Sequence, residues 1–248
     1  MSSISDYNDL LEQIQSISSE NTLAPTMPID VYVQEAENLY HWCNDDKARL
    51  VAAGLDWSFV TNLPARAGAC REAQSRWIKE RKTHQQAEQE WNKKSPEAFN
   101  LRDNLTHAFR YAFRSKGDLL SRIADIEQGD TNSDMVQDLN DLSVLGKANV
   151  DLLKAIGFDL SLLDTSASVS YEMGDLLGAT NGEREKDNEA MVIRDKAYTL
   201  LKMAIDEIRE CGKYVFWRTP EMLDGYSSDF WKKRNIIKEK VVAPKAEV

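Results

Sequence analysis

Apolar positions recur along the chain at steps of three and four residues, the period of an amphipathic α-helix that turns one face inward. Ile4, Tyr7, Leu10, Leu11, Ile14 and Ile17 define a short N-terminal helix that stops at the breaker-rich stretch NTLAPTMP. The spacing predicts a second helix from about Asp30 to Ala53, stopped by Gly54, a residue type suited to the left-handed conformation that ends helices. Asp56 is the N-cap expected for a third helix, running from Trp57 towards Asn92 and bent near its start by Pro64. Ser95-Pro96-Glu97 combines a cap with proline at the first helical position and predicts a fourth helix through Leu105, Phe109, Phe113 and Ile123, broken by GDTNSD. A fifth restarts at Ser133 or Asp134 and is closed by Gly157. A sixth, capped by Asp159, ends at the turn signal Asn181-Gly182, and a seventh runs from about Glu183 to Trp217. Thr219-Pro220 starts a short turn, and a last helix begins at about Ser228.

Two stretches align internally. LVAAGLDWSFV from Leu50 matches LKAIGFDLSLL from Leu153, pairing Gly54 with Gly157, Asp56 with Asp159 and Ser58 with Ser161. Each is a glycine stop followed by an aspartate cap, the punctuation of a tight helix-helix corner. Arg102-Asp103 also matches Arg194-Asp195, followed in register by Phe109 against Leu201 and Phe113 against Ile205. The first match is offset by 103 positions (159 against 56) and the second by 92 (195 against 103), so the first copy is expected to carry 11 more residues. Those residues fall in WIKERKTHQQAEQEWNKKSPEAF, a longer polar hairpin with Trp91 near its tip. The expected fold is all-α: two tandem three-helix up-down bundle repeats with additional N- and C-terminal helices. The expected division is 1–28 for the N-terminal helix and linker, 29–129 and 130–218 for the repeats, and 219–248 for the C-terminal helix and basic tail.

Composition narrows the function classes. Few glycines (11) and prolines (6) in 248 residues agree with helices. The net charge of −10 opposes long-range attraction to nucleic acid or anionic lipid. The local exception is the C-terminus, where Lys232, Lys233, Arg234, Lys238, Lys240 and Lys245 outweigh Glu239 and Glu247. A solvated amphipathic end is its simplest reading. No basic segment followed by an apolar run opens the chain and no stretch is apolar enough to span a bilayer, so a cytoplasmic location is expected, with export by a machinery that reads no cleavable signal left open.

No motif for chemistry stands out. Cys43, Cys70 and Cys211 are scattered and form no CxxC or CxxH pair, which points to a reducing compartment and, for Cys70 and Cys211 on apolar seams, to small core residues. His41, His84 and His107 are the only histidines, and Glu37-His41 and Glu80-His84-Glu88 are spaced by four. A carboxylate-bridged di-iron bundle needs Glu-x-x-His on two helices, which this chain lacks, so surface pairs that support a helix are expected instead. Nucleophile elbows and phosphate loops are also missing from the sequence. No catalytic, cofactor-binding or metal residue is therefore assigned.

The aromatic residues carry more information. Trp42, Trp57, Trp77 and Trp217 lie on apolar stripes and are expected in the core. Trp91 has entirely polar flanks, and Tyr226, Phe230 and Trp231 have few apolar neighbours, so these four are the candidate interaction residues. From Ala197, AYTLLKMAIDEIRECGKYVFWRTPEMLDGYSSDFWKKR resembles the C-terminal part of bacterial tandem helical-bundle proteins of Bacteroidetes-like genomes. The resemblance implies a helical fold and a bacterial source, and it brings no activity or site residue. The expected function is a non-enzymatic structural or protein-interaction role, with self-association into a homo-oligomer or filament as its leading form. The alternative is a small-molecule binder or enzyme whose site lies between helices, and an anionic-surface binder acting through the basic C-terminus ranks last.

Overall fold

The computed structural model describes residues 2–242, and the side chains of residues 2–237. Among the described residues are eleven α-helices, one 3-10 turn and no strand. The helices are α1 Ser3–Ser16, α2 Ile29–Asp45, α3 Lys47–Ala52, α4 Ser58–Thr61, α5 Leu63–Ala112, α6 Gly117–Ile126, α7 Asn132–Ala148, α8 Val150–Lys154, α9 Ser161–Val215, α10 Pro220–Gly225 and α11 Asp229–Val242. None of them is long and apolar enough to cross a membrane.

The two glycine corners form as expected. Gly54 and Gly157 have φ of +97° and +71°, where glycine has no Cβ to clash. In the first corner Leu55 N–H donates to the Leu50 carbonyl at 3.1 Å and Gly54 N–H to the Val51 carbonyl at 3.0 Å. In the second, Phe158 N–H donates to Leu153 at 3.1 Å and Gly157 N–H to Lys154 at 3.0 Å. This paired pattern is the Schellman motif, which satisfies carbonyls that a helix end leaves open. The aspartate caps follow, with Asp56 accepting from Ser58 N–H at 2.9 Å and Asp159 from Ser161 N–H at 3.0 Å. These hydrogen bonds hold both carboxyls below the usual carboxylate range.

Several expected boundaries are corrected. The second and fifth expected helices are each interrupted near their ends, at Asp46 between α2 and α3 and at Asn149 between α7 and α8. The third does not bend at Pro64. It stops after α4 and restarts at Leu63, which places the proline at the second position of α5, where its missing N–H has no helical partner to lose. Pro96 starts no helix and lies inside α5, and Asn181-Gly182 makes no turn and lies inside α9. The hairpin expected around Trp91 is therefore absent. An internal proline costs a helix about 3 kcal/mol. Trp91 and Ala98, buried on either side of Pro96, offset that cost by continuing one packed face.

Two compact units result, and their composition differs from the division expected from the repeat. Unit 1 comprises residues 1–79 and 188–248, and unit 2 comprises residues 80–187. Each unit therefore contains part of α5 and part of α9, which run antiparallel within it. In unit 2, Lys94 pairs with Glu172 at 2.6 Å and His84 Nδ1 lies 3.3 Å from Asp187. In unit 1, Arg66 donates to the Leu200 carbonyl at 3.2 Å, and the Arg194 guanidinium lies 4.1 Å from the Trp77 ring centre. Leu39, Leu50, Val60, Leu201 and Ile205 lie in the unit 1 core, and Leu105, Phe109, Leu139, Leu142 and Leu153 in that of unit 2.

Element positions recur at one separation. α2 and α7 are both 17 residues long, the second starting 103 positions after the first (132 against 29). α3 and α8 start at the same separation (150 against 47), as do α10 and α6 (220 against 117), and α9 ends as far beyond α5 (215 against 112). The 11 additional residues expected in the first copy are absent: 58 residues separate glycine from helix end in both cases (112 against 54, 215 against 157). Eleven residues make almost exactly three helical turns, so a match shifted by that amount still falls on the same helix face.

Residue sizes differ at equivalent positions. A side chain at Gly212 would strike the Tyr226 ring, whereas the positions 103 residues earlier hold the large Phe109 and the smaller Ile123. Gly225 likewise leaves room for Trp42, where the equivalent positions hold Arg122 and Leu145.

Two outcomes test this description. A Cβ at Gly182 meets nothing within 4 Å, so Gly182→Ala in a continuous α9 raises stability by about 0.5–1 kcal/mol in urea denaturation; a turn at this position would make the substitution destabilising. Asp138 is buried on α7 and pairs with Arg102 at 3.5 Å. Burial pushes its carboxyl up to about 6 against the opposing pull of Arg102, with Asp134 and Asp141 adding to the rise. A folded value above the unfolded one means that the protonated form favours folding. Its stabilisation is complete below about pH 4 and is lost as pH rises through about 6. Asp138→Asn flattens the pH dependence of stability across that window and gains about 2 kcal/mol at pH 7, with Arg102 keeping Asp103 at 3.0 Å.

Candidate functional site

α5 and α9 end in the same way. Phe113 N–H donates to the Phe109 carbonyl at 2.8 Å and Phe216 N–H to that of Gly212 at 2.9 Å. Lys116 N–H then closes on Phe113, and Thr219 N–H on Phe216, both at 2.8 Å. Both phenylalanines are buried and anchor the reversal into α6 and α10. A tyrosine precedes each by two residues, which rotates it about 200° around the helix, away from the core. Tyr111 is accordingly 59% exposed and Tyr214 73% exposed. Each follows a cation, Arg110 or Lys213.

Arginines cover the aromatic rings at both ends. The Arg114 guanidinium lies 4.4 Å from the Tyr111 ring centre, and that of Arg218 lies 4.2 Å from the ring centre of Trp217, which is 64% exposed. Such contacts hold a cation over a π face and keep both groups ordered at the surface. Arg110 is also paired with Glu127.

The four residues singled out by sequence lie elsewhere and are not brought together. Trp91 belongs to unit 2 and is only 7% exposed, because α5 continues past it and turns position 91 inward. Tyr226 in unit 1 is fully buried, stacked on Phe216 at 5.4 Å, with its hydroxyl donating to Asp46 at 2.9 Å. Burial and that carboxylate push its phenol up. Phe230 and Trp231 are half-buried against the unit 1 core. Glu35 holds the start of their helix, accepting from Ser228 Oγ at 3.0 Å and Phe230 N–H at 2.9 Å while pairing with Arg209 at 2.7 Å. Two of the four expected core tryptophans, Trp42 and Trp217, are exposed. Trp57 and Trp77 are half-buried.

The reactive residue types are placed for packing. Burial pushes the Cys43 and Cys70 thiols up to about 12, which keeps them protonated at neutral pH. Among the described residues no group of three His, Cys, Asp or Glu side chains is arranged to hold a metal ion. At the basic C-terminus Lys232 pairs with Asp224 and Asp229. The side chains of Lys238, Glu239 and Lys240, and all of residues 243–248 with Lys245 and Glu247, lie outside the described residues.

No protein-family model, no curated protein and no solved structure matches the chain.

Sequence reasoning missed Tyr111 and Tyr214, and the signal was present. RYAFRSKGDLL from Arg110 and KYVFWRTPEML from Lys213 align at the same offset of 103 as the glycine corners. The match of Arg102-Asp103 with Arg194-Asp195 displaced this register by three turns.

Replacing the buried hydroxyl tests the packing role of Tyr226. Tyr226→Phe leaves Asp46 without that donor and costs about 1–3 kcal/mol of stability by chemical denaturation, whereas a contact residue on the surface would change stability by less than about 0.5 kcal/mol.

Proposed function

We propose that the protein is a non-catalytic interaction module, a duplicated helical unit that binds protein partners, foremost a second copy of itself, through two aromatic-arginine surfaces, one at the end of α5 in unit 2 and one at the end of α9 in unit 1. The recurrence of elements at 103 residues supports duplication. The observation that carries the reading is the pair Tyr111 and Tyr214. A core explains why both copies keep Phe113 and Phe216, but no core explains why both keep a large aromatic residue pointing into solvent. Tyrosine, tryptophan and arginine are the residue types enriched in binding hot spots, where ordered rings bury much surface at little entropic cost.

Charge favours a second copy as partner. The chain carries −10 overall, while these surfaces present Arg114 and Lys116 in unit 2 and Lys213 and Arg218 in unit 1. Cationic patches on an acidic chain complement the acidic surface of another copy.

Light scattering coupled to size exclusion, from about 1 to 100 μM, tests the reading. The expected result is a mass rising above the 28.2 kDa of one chain with concentration. The triple variant Tyr111→Ala, Tyr214→Ala, Trp217→Ala stays at one chain across that range, with unchanged helical circular dichroism and a loss of about 2 kcal/mol or more per hot-spot contact. A wild-type protein of one-chain mass throughout, or a triple variant that associates as the wild type does, overturns it.

A further inference from the structure

Unit 1 holds a cavity of about 410 Å³ lined by α2, the end of α9 and α11. Its volume falls in the range of small-molecule sites. Unit 2 carries different residues at the positions 103 residues away. Where unit 1 has Tyr32, Tyr198, Arg209 and Trp231, the positions 103 residues earlier or later in unit 2 carry Met135, Ser95, Thr106 and Gln128. Met135 is fully buried, and Thr106 closes its hydroxyl on the Arg102 carbonyl of its own helix at 2.9 Å. Unit 1 instead lines a cavity with Tyr32, Tyr198 and Arg209, and only the tyrosines lack a counterpart, since Arg102 and Asp138 of unit 2 pair as Arg209 and Glu35 do.

The cavity lining carries four cations, Lys202, Arg209, Lys213 and Lys232, against two carboxylates, Asp206 and Glu210. Arg209 lines it with its Nε buried and without an acceptor, while its Nη2 pairs with Glu35. The Tyr32 and Tyr198 rings pack 4.8 Å apart, and the Tyr198 hydroxyl is 3.4 Å from that of Thr26. Both tyrosines line the cavity. Asp206 pairs with Lys202 at 2.6 Å, and Glu210 lies at the exposed rim. The cationic excess favours a ligand that brings an acceptor. Trp231 and Met27 supply an apolar wall for an organic body.

We propose that unit 1 binds a small organic carboxylate in this cavity, its carboxylate accepting from Arg209 and the two tyrosine hydroxyls and its body lying against Trp231. α11 completes the site, since it contributes that wall and is anchored through Glu35 to the same arginine. This inference goes beyond the interaction reading and stands independently of it.

Calorimetric titration of the full chain with benzoate, and separately with inorganic phosphate, tests the proposal. Benzoate saturates with a Kd of about 1 mM or tighter and raises Tm, while phosphate binds more weakly. Tyr198→Phe keeps the ring and removes the hydroxyl, and Arg209→Lys keeps the charge and removes the planar fork. Each weakens benzoate by about tenfold. The proposal is overturned by an absence of saturation up to about 10 mM benzoate. It is overturned equally by phosphate binding as tightly as benzoate, or by affinities that neither variant alters.

Discussion

The structure depends on two residues that accept a positive φ. At Gly54 and Gly157 the chain leaves a short helix and enters the segment that leads into α5 or α9, and only a left-handed residue lets the amides behind it close on the carbonyls in front. Any other residue adds a penalty of about 1–2 kcal/mol at each corner. The corner brings Leu50 or Leu153, the acceptor of the outer Schellman bond, into the core while the next aspartate caps the following turn. Direction, burial and capping are thus decided within eight residues. The 58 residues that follow each glycine to its helix end inherit their phase from it.

Equal length does not require equal side chains. Gly212 makes room for the buried Tyr226 ring where the positions 103 residues earlier hold Phe109 and Ile123. The buried acid-arginine contact is also rebuilt with changed parts. Glu35 meets Arg209 at 2.7 Å in unit 1 and Asp138 meets Arg102 at 3.5 Å in unit 2, the acids at equivalent positions and the arginines one turn apart. The shorter aspartate reaches its partner less closely, and burial raises its carboxyl accordingly.

What was legible in the sequence was local. The all-α class, the extent of α1, both glycine stops and both aspartate caps follow from patterns a few residues long. What was illegible depended on burial at a distance. Pro96 has the form of a helix start and Asn181-Gly182 that of a turn, yet α5 and α9 continue through them because packing on either side outweighs local preference. That continuity misled the site as well. Trp91 looked exposed only because its flanks are polar, and one inward face of a helix suffices to bury it. Tyr111 and Tyr214 stayed hidden behind a misregister of three turns, which the helical period disguises as a correct alignment.

The differences between the units bear most directly on function. Burying a guanidinium, a carboxylate and two phenols is costly, and replacing such groups with apolar residues of similar volume often stabilises a fold. Unit 2 demonstrates that this scaffold closes with Met135 and Thr106 at two of those positions. Unit 2 keeps a buried acid-arginine pair one turn away, so what is peculiar to unit 1 is its buried phenols, Tyr32 and Tyr198, a local departure of the kind that accompanies a site. The same comparison works in reverse for Tyr111 and Tyr214, kept in both units although neither core needs them. Under the proposed reading, the exposed tyrosines present in both units belong to a contact made twice, and the buried tyrosines peculiar to unit 1 to a site made once.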